Sequence, residues 1–361
     1  VNNEVARPAR TIEVTGPNGI VPIGPDHEPF VIAEMSGNHN GDLQRALDIV
    51  RAAGEAGAHA VKIQTYTADT ITLDVDSPLF RLSPDHPLWP NRRLYDLYTE
   101  AHTPWDWHEP IFALANELGM IAFSAPFDPT AIEFLVGLGV PLMKQASSEI
   151  TDLPLIRGIA RTGLPTIIST GTATYAEIDA ALAAARGTGN QDVIVLSCTA
   201  SYPAPPEASN LRGIALLRDG LDVQVGLSDH TLGIGASIAA VALGATVIEK
   251  HLTLDRADGG VDAEFSLNPV EFAALVTESR IAWQALGEAR VGPKEIEAEG
   301  LRFRRSLFVT RDVRAGELVS ADNVRSVRPA DGLPPDTFDE IVGRAFSVDA
   351  AMGTPMSFDL L

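Results

Sequence analysis

Residues 30–286 predict an α/β fold, a (β/α)8 barrel of the TIM type, and the stretch after them predicts a second, small β-rich domain. Three observations carry this. Eight apolar runs, continuous rather than alternating, each precede a helix-like segment, as parallel strands covered on both faces do. Eight such units in roughly 260 residues match the size of a closed barrel. Beyond Gly287 the pattern breaks into short β-like runs separated by turns. A doubly wound sheet is the competing fold, but it needs no eight consecutive units, and no Gly-x-Gly-x-x-Gly follows the first run.

Ahead of the barrel, residues 1–29 hold a candidate hairpin. TIEV and IVPIG flank Pro17-Asn18-Gly19, and Asn-Gly is a strong tight-turn signal. The pattern permits this hairpin to plug the bottom of the barrel. The eight strands are then read at 30–35, 60–66, 120–126, 140–147, 165–171, 193–199, 223–230 and 246–253. Helices are read at 43–56, 104–118, 129–137, 153–161, 175–185, 207–218, 233–243 and 269–286. Gly57 and Gly119 stop the first two, and Thr103 is read as the cap of the second. A polar insertion, 67–103, interrupts the second unit and carries a helix-like piece with Tyr95 and Tyr98. Residues 287–300 form a polar linker, and 301–361 the small domain, which buries little surface alone and is expected to dock on something.

Hydrophobic residues make up 45% of the 361, enough for a large core. The net charge is -21, from 48 acidic against 27 basic side chains, so nucleic acid and anionic membrane are poor partners. An anionic substrate stays admissible, because the field in a pocket need not share the sign of the surface. The one cysteine, Cys198, excludes an internal disulfide framework and a cysteine-based metal cluster. There is no apolar run of about 18 residues, and the first residues lack the apolar core of a secretory leader. The expectation is a soluble, cytoplasmic protein.

Polar residues close the runs one after another: Glu34, then Lys62 and Gln64, then Lys144, Ser147 and Glu149. Ser169, Cys198 with Tyr202, Ser228 with His230, and Glu249 with His251 follow. In a barrel these strand ends converge on one mouth. Residues 223–253 form a strand–helix–strand unit whose parallel return brings His230 and His251 close in space. Two imidazoles with an open coordination sphere suit Mn, Co, Fe or Zn, with water and a substrate oxygen completing the shell. Ordinary hydrogen-bonding histidines are the alternative. A lysine inside a buried strand is costly unless paired or facing a ligand. Lys62 and Lys144 therefore suit a phosphate or carboxylate, or else an internal ion pair with Glu34 or Glu149, and Schiff-base chemistry stays open. His59 reads as structural, while His86, His102, His108, Trp89, Trp105 and Trp107 read as shaping a lid. Cys198 lacks a histidine nearby in sequence and needs no catalytic role.

Six ordered motifs carry a resemblance: AEMSGNHNGDLQRAL (33–47), AVKIQTYTADTITLD (60–74), KQASSEI (144–150), SCTASYPAP (197–205), GLSDHTLG (226–233) and VIEKHLTLDR (247–256). Together they make the chain similar to the sialic acid synthase family, which joins phosphoenolpyruvate to an N-acetylated sugar aldehyde. RRSLFVTRDVRAGELVSADNVRSVRP (304–329) resembles that family's C-terminal antifreeze-like SAF domain, so the likeness covers nearly the whole chain. Within the family, SGNHN, QTYTADT, LYDLYTEAHTPWDWH and CTASYPAP most resemble the branch that makes pseudaminic acid, with the legionaminic acid branch as nearest rival. The resemblance implies metal ligands at His230 and His251, a divalent ion such as Mn(II) (with Co, Fe, Mg or Zn as alternatives), and phosphoenolpyruvate lysines at Lys62 and Lys144. It also implies Gln64, Ser147, Ser169 and Ser228 as substrate contacts, Glu34, Glu149, Glu249 and Asp262 as acidic site residues, and Tyr202 in the sugar pocket. Finally it implies a homodimer with exchanged SAF domains, each lending Arg328 to its neighbour. Rival readings are a Schiff-base aldolase, which would lack the SAF tail, and a non-enzymatic carbohydrate-binding protein.

Overall fold

The turn of the N-terminal hairpin sits one position ahead of its Asn-Gly pair. In the computed structural model, β1 (Ile12–Gly16) and β2 (Gly19–Ile23) pair antiparallel with Gly16 opposite Gly19, so Pro17 and Asn18 make the turn. Gly19 opens β2 at a φ of 123°, a backbone that side chains avoid. Ile12, Val14 and Ile23 pack with Phe30, Ile32, Phe123, Ile194 and Val247 in one buried cluster. The hairpin does plug the lower end of the barrel. The structure describes residues 10–86 and 88–361; residues 1–9, part of the stretch read for a leader, and Pro87 of the insertion lie outside the described residues.

The barrel strands are β3 (Phe30–Glu34), β4 (Ala60–Thr65), β5 (Ile121–Pro126), β6 (Met143–Gln145), β7 (Thr166–Ser169), β8 (Val193–Cys198), β9 (Gln224–Asp229) and β10 (Val247–His251). They pair in parallel in chain order, and β10 closes on β3. β6 is shorter than the run at 140–147. Pro141 has no N–H for the ladder, and Ser147–Glu149 already curls into a 3-10 turn.

Around the barrel run α1 (Leu43–Glu55), then α2 (Ala68–Ile71) and α3 (Leu94–Ala101) in the insertion, then α4 (His108–Glu117) and α5 (Pro129–Gly137). α6 (Leu153–Ala160), α7 (Tyr175–Arg186), α8 (Gly213–Leu221), α9 (Gly235–Ala242) and α10 (Pro269–Leu286) complete the layer. Local chemistry sets their starts. Asp42 accepts from the N–H groups of Gln44 and Arg45, Asp128 caps α5 ahead of Pro129, and Thr174/Glu177 and Asn268/Glu271 form reciprocal boxes. Each such cap contributes about 1 kcal/mol. Two starts differ from the expectation. Trp105–Trp107 forms a 3-10 turn before α4, and Thr103 is no cap: its hydroxyl lies 3.5 Å from Nε2 of buried His39. α8 begins late because Pro206–Ser209 is 3-10 and Asn210 turns left-handed. No helix among the described residues is long and apolar enough to cross a membrane.

The first compact unit ends at Gly287, and Glu288–Leu361 is a second. In the latter, β11 (Ser306–Val309) and β12 (Val324–Val327) pair antiparallel, and Val313 and Leu318 add single bridges to Ala350 and Ala345. Leu307, Val309, Val319, Val324, Ile341 and Phe346 form its own small core.

Candidate active site at the barrel mouth

Side chains alternate across a strand, so every second residue of a barrel strand points inward. At the lower level those residues are apolar: Phe30, Ile32, Ala60, Ile121, Ile167, Ile194 and Val247. One step up, on the same faces, they become Glu34, Lys62, Lys144, Ser169, Ser228 and Glu249, all buried. Lys62 Nζ lies 2.6 Å from Glu34 Oε2 and 3.8 Å from Glu249 Oε2, and Lys144 Nζ donates to Glu249 Oε1 at 2.5 Å. The internal ion pair weighed for Lys144 therefore forms with Glu249, not Glu149. Ser228 Oγ donates to the same Glu249 oxygen at 3.0 Å, and Gln64 Nε2 donates to Glu34 Oε1 at 2.9 Å. Ser147 Oγ donates to Ser169 Oγ at 3.1 Å and accepts from the N–H of Gly171.

These charges do not titrate alike. Burial opposes ionisation of Glu249, yet Lys144 and Lys62 together hold its carboxyl below the usual range. Burial pushes the Glu34 carboxyl up, with Lys62 pulling it down and Glu249 adding to the rise. Glu149 stands apart, on the 3-10 turn after β6; burial pushes it up to about 7, and its Oε2 finds no hydrogen-bond partner among the described residues.

His230 and His251 come together as the strand–helix–strand pattern requires, with ring centroids 5.3 Å apart. Nδ1 of His230 lies 3.0 Å from the carbonyl of Thr199, which leaves Nε2 for another partner. Burial, reinforced by His230 and the lysines, holds His251 neutral, and its Nδ1 is buried without a hydrogen-bond partner among the described residues, 4.0 Å from Asp262. Two imidazoles with free nitrogens fit a divalent cation whose remaining ligands come from outside the chain. No group of three or more His, Cys, Asp or Glu side chains among the described residues forms a self-sufficient metal site. Tyr202 packs on His230 at 4.4 Å, and Asp262 accepts from the N–H of Gly37. Arg328, exposed at the end of β12, belongs to the second unit and is described with it.

Residues 49–291 match the NeuB family, and residues 304–361 match the SAF domain. The chain belongs to the NeuB family. It is 43% identical to the pseudaminic acid synthase of Campylobacter jejuni over 91% of this chain and 95% of that one. It is 37% identical to the N,N'-diacetyllegionaminic acid synthase of Legionella pneumophila over 95% of this chain and 97% of that one. Among solved structures it resembles the N-acetylneuraminic acid synthetase of Leptospira borgpetersenii, with a TM-score of 0.71 and 31% identity over 82% of this chain and 97% of that one. As a member of the NeuB family the protein is a phosphoenolpyruvate-dependent synthase of nonulosonic acid biosynthesis.

Three features of this NeuB-family mouth escaped the reading of residues. Cys198 Sγ lies 3.9 Å from His230 Nδ1, a contact across 32 positions that no local spacing announces. Phe265 packs edge-on against both histidines, at 4.9 Å from His251 and 6.0 Å from His230. Tyr66 continues the inward alternation of β4 after Lys62 and Gln64, and that alternation was the signal that would have found it.

Proposed function

We propose that the protein is a pseudaminic acid synthase, condensing phosphoenolpyruvate with 2,4-diacetamido-2,4,6-trideoxy-L-altropyranose in its open aldehyde form. The products are pseudaminic acid and phosphate. The observation that carries the reaction class is the layer of Lys62, Lys144, Glu34 and Glu249 beside the His230–His251 pair. The higher identity to the Campylobacter enzyme than to the legionaminic one supports the acceptor.

In this reading Lys62 and Lys144 turn from their carboxylates to the phosphate and carboxylate of phosphoenolpyruvate, with Ser147, Ser169 and Ser228 as hydroxyl donors. C3 of phosphoenolpyruvate attacks the aldehyde carbon, leaving oxocarbenium character at C2. Water adds at C2, and the resulting tetrahedral centre expels phosphate by C–O cleavage. Glu249 and Glu34 face that cationic centre, and Glu149, poised near neutrality, takes the proton of the attacking water. Tyr202 and Gln64 line the acceptor side. His230 and His251 would hold a divalent ion such as Mn(II), and Asp262 stands beside them; when bound, the ion supplies Lewis-acid polarisation of the aldehyde carbonyl. Arg328 is offered to the site of a partner subunit in a homodimer with exchanged SAF domains.

The test is a parallel turnover assay with phosphoenolpyruvate and Mn(II) against the altrose acceptor, its legionaminic-type isomer and N-acetylmannosamine, reading phosphate release and product mass. The expected result is turnover dominated by the altrose sugar, lost with EDTA and restored by Mn(II). Preference for either other sugar overturns the acceptor and keeps the reaction.

A further inference from the structure

The insertion carries helix α3, and α3 places Tyr98 against Tyr66 with ring centroids 5.9 Å apart and planes at 81°. On its other side Tyr66 meets Phe127, 5.1 Å away and also edge-on. Tyr66 is only 3% exposed, and Trp105 Nε1 donates to its carbonyl at 3.4 Å, so the ring is held from several directions. Yet no hydrogen bond among the described residues reaches the hydroxyl of Tyr66 or Tyr98. Tyr95, three residues before Tyr98, donates instead to Asp69 at 3.1 Å. Tyr98 is half-buried, and neither hydroxyl is among the sealed, unpartnered side-chain atoms of the described residues, so both stay open to a guest that accepts from them.

The surroundings say where such a guest lies. Asp262 and Glu34 are among the charges near enough to act on the Tyr66 phenol, and Glu149 is near enough to act on that of Tyr98. A phenol joins a donor to an apolar face. An acylamino group joins a carbonyl acceptor to a methyl, and so complements it.

We propose that Tyr66 and Tyr98 form the subsite that grips an acylamino substituent of the acceptor, their hydroxyls donating to its carbonyl and their rings packing on its methyl. This rests on the acceptor being an N-acylated amino sugar, as proposed above. It makes the insertion a specificity element and not only a cover.

Phenylalanine variants remove the hydroxyls and keep the packing. For Tyr66→Phe and Tyr98→Phe, the KM for whichever sugar the wild type turns over is expected to rise about 10-fold, the fold-change of one lost hydrogen bond. The KM for phosphoenolpyruvate should stay within about twofold, a split that mere structural damage would not produce. Tyr98→Ala should in addition weaken the preference for N-acetyl over N-formyl acceptors, because the ring that meets the methyl is gone. Acceptor KM values within about twofold of wild type in all three variants would overturn the proposal. Calorimetric titration of each sugar into the wild type, with phosphoenolpyruvate replaced by inorganic phosphate, separates the two readings. Binding of a different acylated sugar sinks the pseudaminic assignment alone, while no binding of any acylated sugar sinks both.

Discussion

Two buried lysine networks lie back to back on the same strands, and they differ in a way that separates architecture from chemistry. Lys250 and Asp229 are register partners on β10 and β9 and face the helix layer. Asp229 Oδ1 accepts from the N–H of Thr231 at 2.8 Å, and Oδ2 accepts from Ser237 Oγ at 2.6 Å with Lys250 Nζ 2.9 Å away. Lys250 also donates to the carbonyl of Thr231. Both carboxylate oxygens are engaged, and the lysine is fully buried. One residue back along each strand, Ser228 and Glu249 face inward and join Lys144, Lys62 and Glu34. Here Oε2 of Glu34 and of Glu249 are sealed from solvent without a well-directed hydrogen bond among the described residues, although Lys62 is near both. Charge is balanced there, but direction is missing. A buried ion pair with every lone pair used holds a fold together; one with bonds left over can trade partners with a ligand.

Substituting one lysine from each network is the strongest way to break this comparison. Lys250→Met leaves Asp229 buried without its counter-charge, and the expected loss is about 3–5 kcal/mol of stability, read as a lowered urea midpoint. The molecules that remain folded should keep their KM for phosphoenolpyruvate. Lys144→Met leaves Glu249 with Lys62 and Ser228, so stability should fall by less, while turnover drops by roughly 10³-fold or more. A stable but inactive Lys250→Met protein would show that the outward pair serves the reaction as well.

Glu149 sharpens the contrast from a third direction, as an inward carboxylate with no lysine bonded to it. Its pKa in the folded chain is about 7, above the ordinary carboxylate value, because burial disfavours the charge. A carboxyl raised in this way contributes stability that is full below the unfolded value, about 4.3, and is lost as pH climbs through 7. Urea midpoints of wild type should therefore fall across that window more steeply than those of Glu149→Gln. In turnover the sign reverses: a general base must be ionised, so activity should rise through pH 7. Glu149→Gln should lose that rise together with about 10²-fold or more in kcat. An unchanged pH–rate profile in the variant would remove Glu149 from the proton path.

Which network a residue joins was legible in principle, because strand alternation assigns it. Counting by twos from Phe30 or Val247 puts Glu34, Glu249 and His251 inside and Lys250 outside. The continuous apolar runs likewise disclosed all eight strands, and the parallel return of β10 beside β9 placed His230 near His251. What stayed hidden depended on loops, where no period operates. Tyr95 and Tyr98 are near-equivalent in the sequence of α3, and only the path of the insertion turns Tyr98 to Tyr66 and Tyr95 to Asp69. Lys144 chose Glu249 over Glu149 because the latter sits on a turn that ends β6 early. The proximity of Cys198 to His230 needed the register of β8 with β9, where Cys198 stands opposite Ser228.

The smallest effect follows from charge balance in the inward network. Lys62 and Lys144 are matched by Glu34 and Glu249, so a multiply charged phosphoenolpyruvate meets no net positive field from these four groups. Protonation of Glu34, which burial already favours, relieves part of that deficit. A further cation relieves the rest, and exposed Arg328 is the proposed source, contributed by a partner subunit. If so, Arg328→Ala and His251→Ala proteins are each nearly inactive, yet after unfolding and refolding together they complement. Half of the randomly paired dimers are mixed, and each has one barrel with both histidines served by one intact SAF arginine, so about a quarter of wild-type activity should return. Recovery near zero would mean that Arg328 serves its own barrel, and an Arg328→Ala protein that keeps its activity would mean that it serves none, the deficit then being met by protonation or by the ion proposed at His230 and His251.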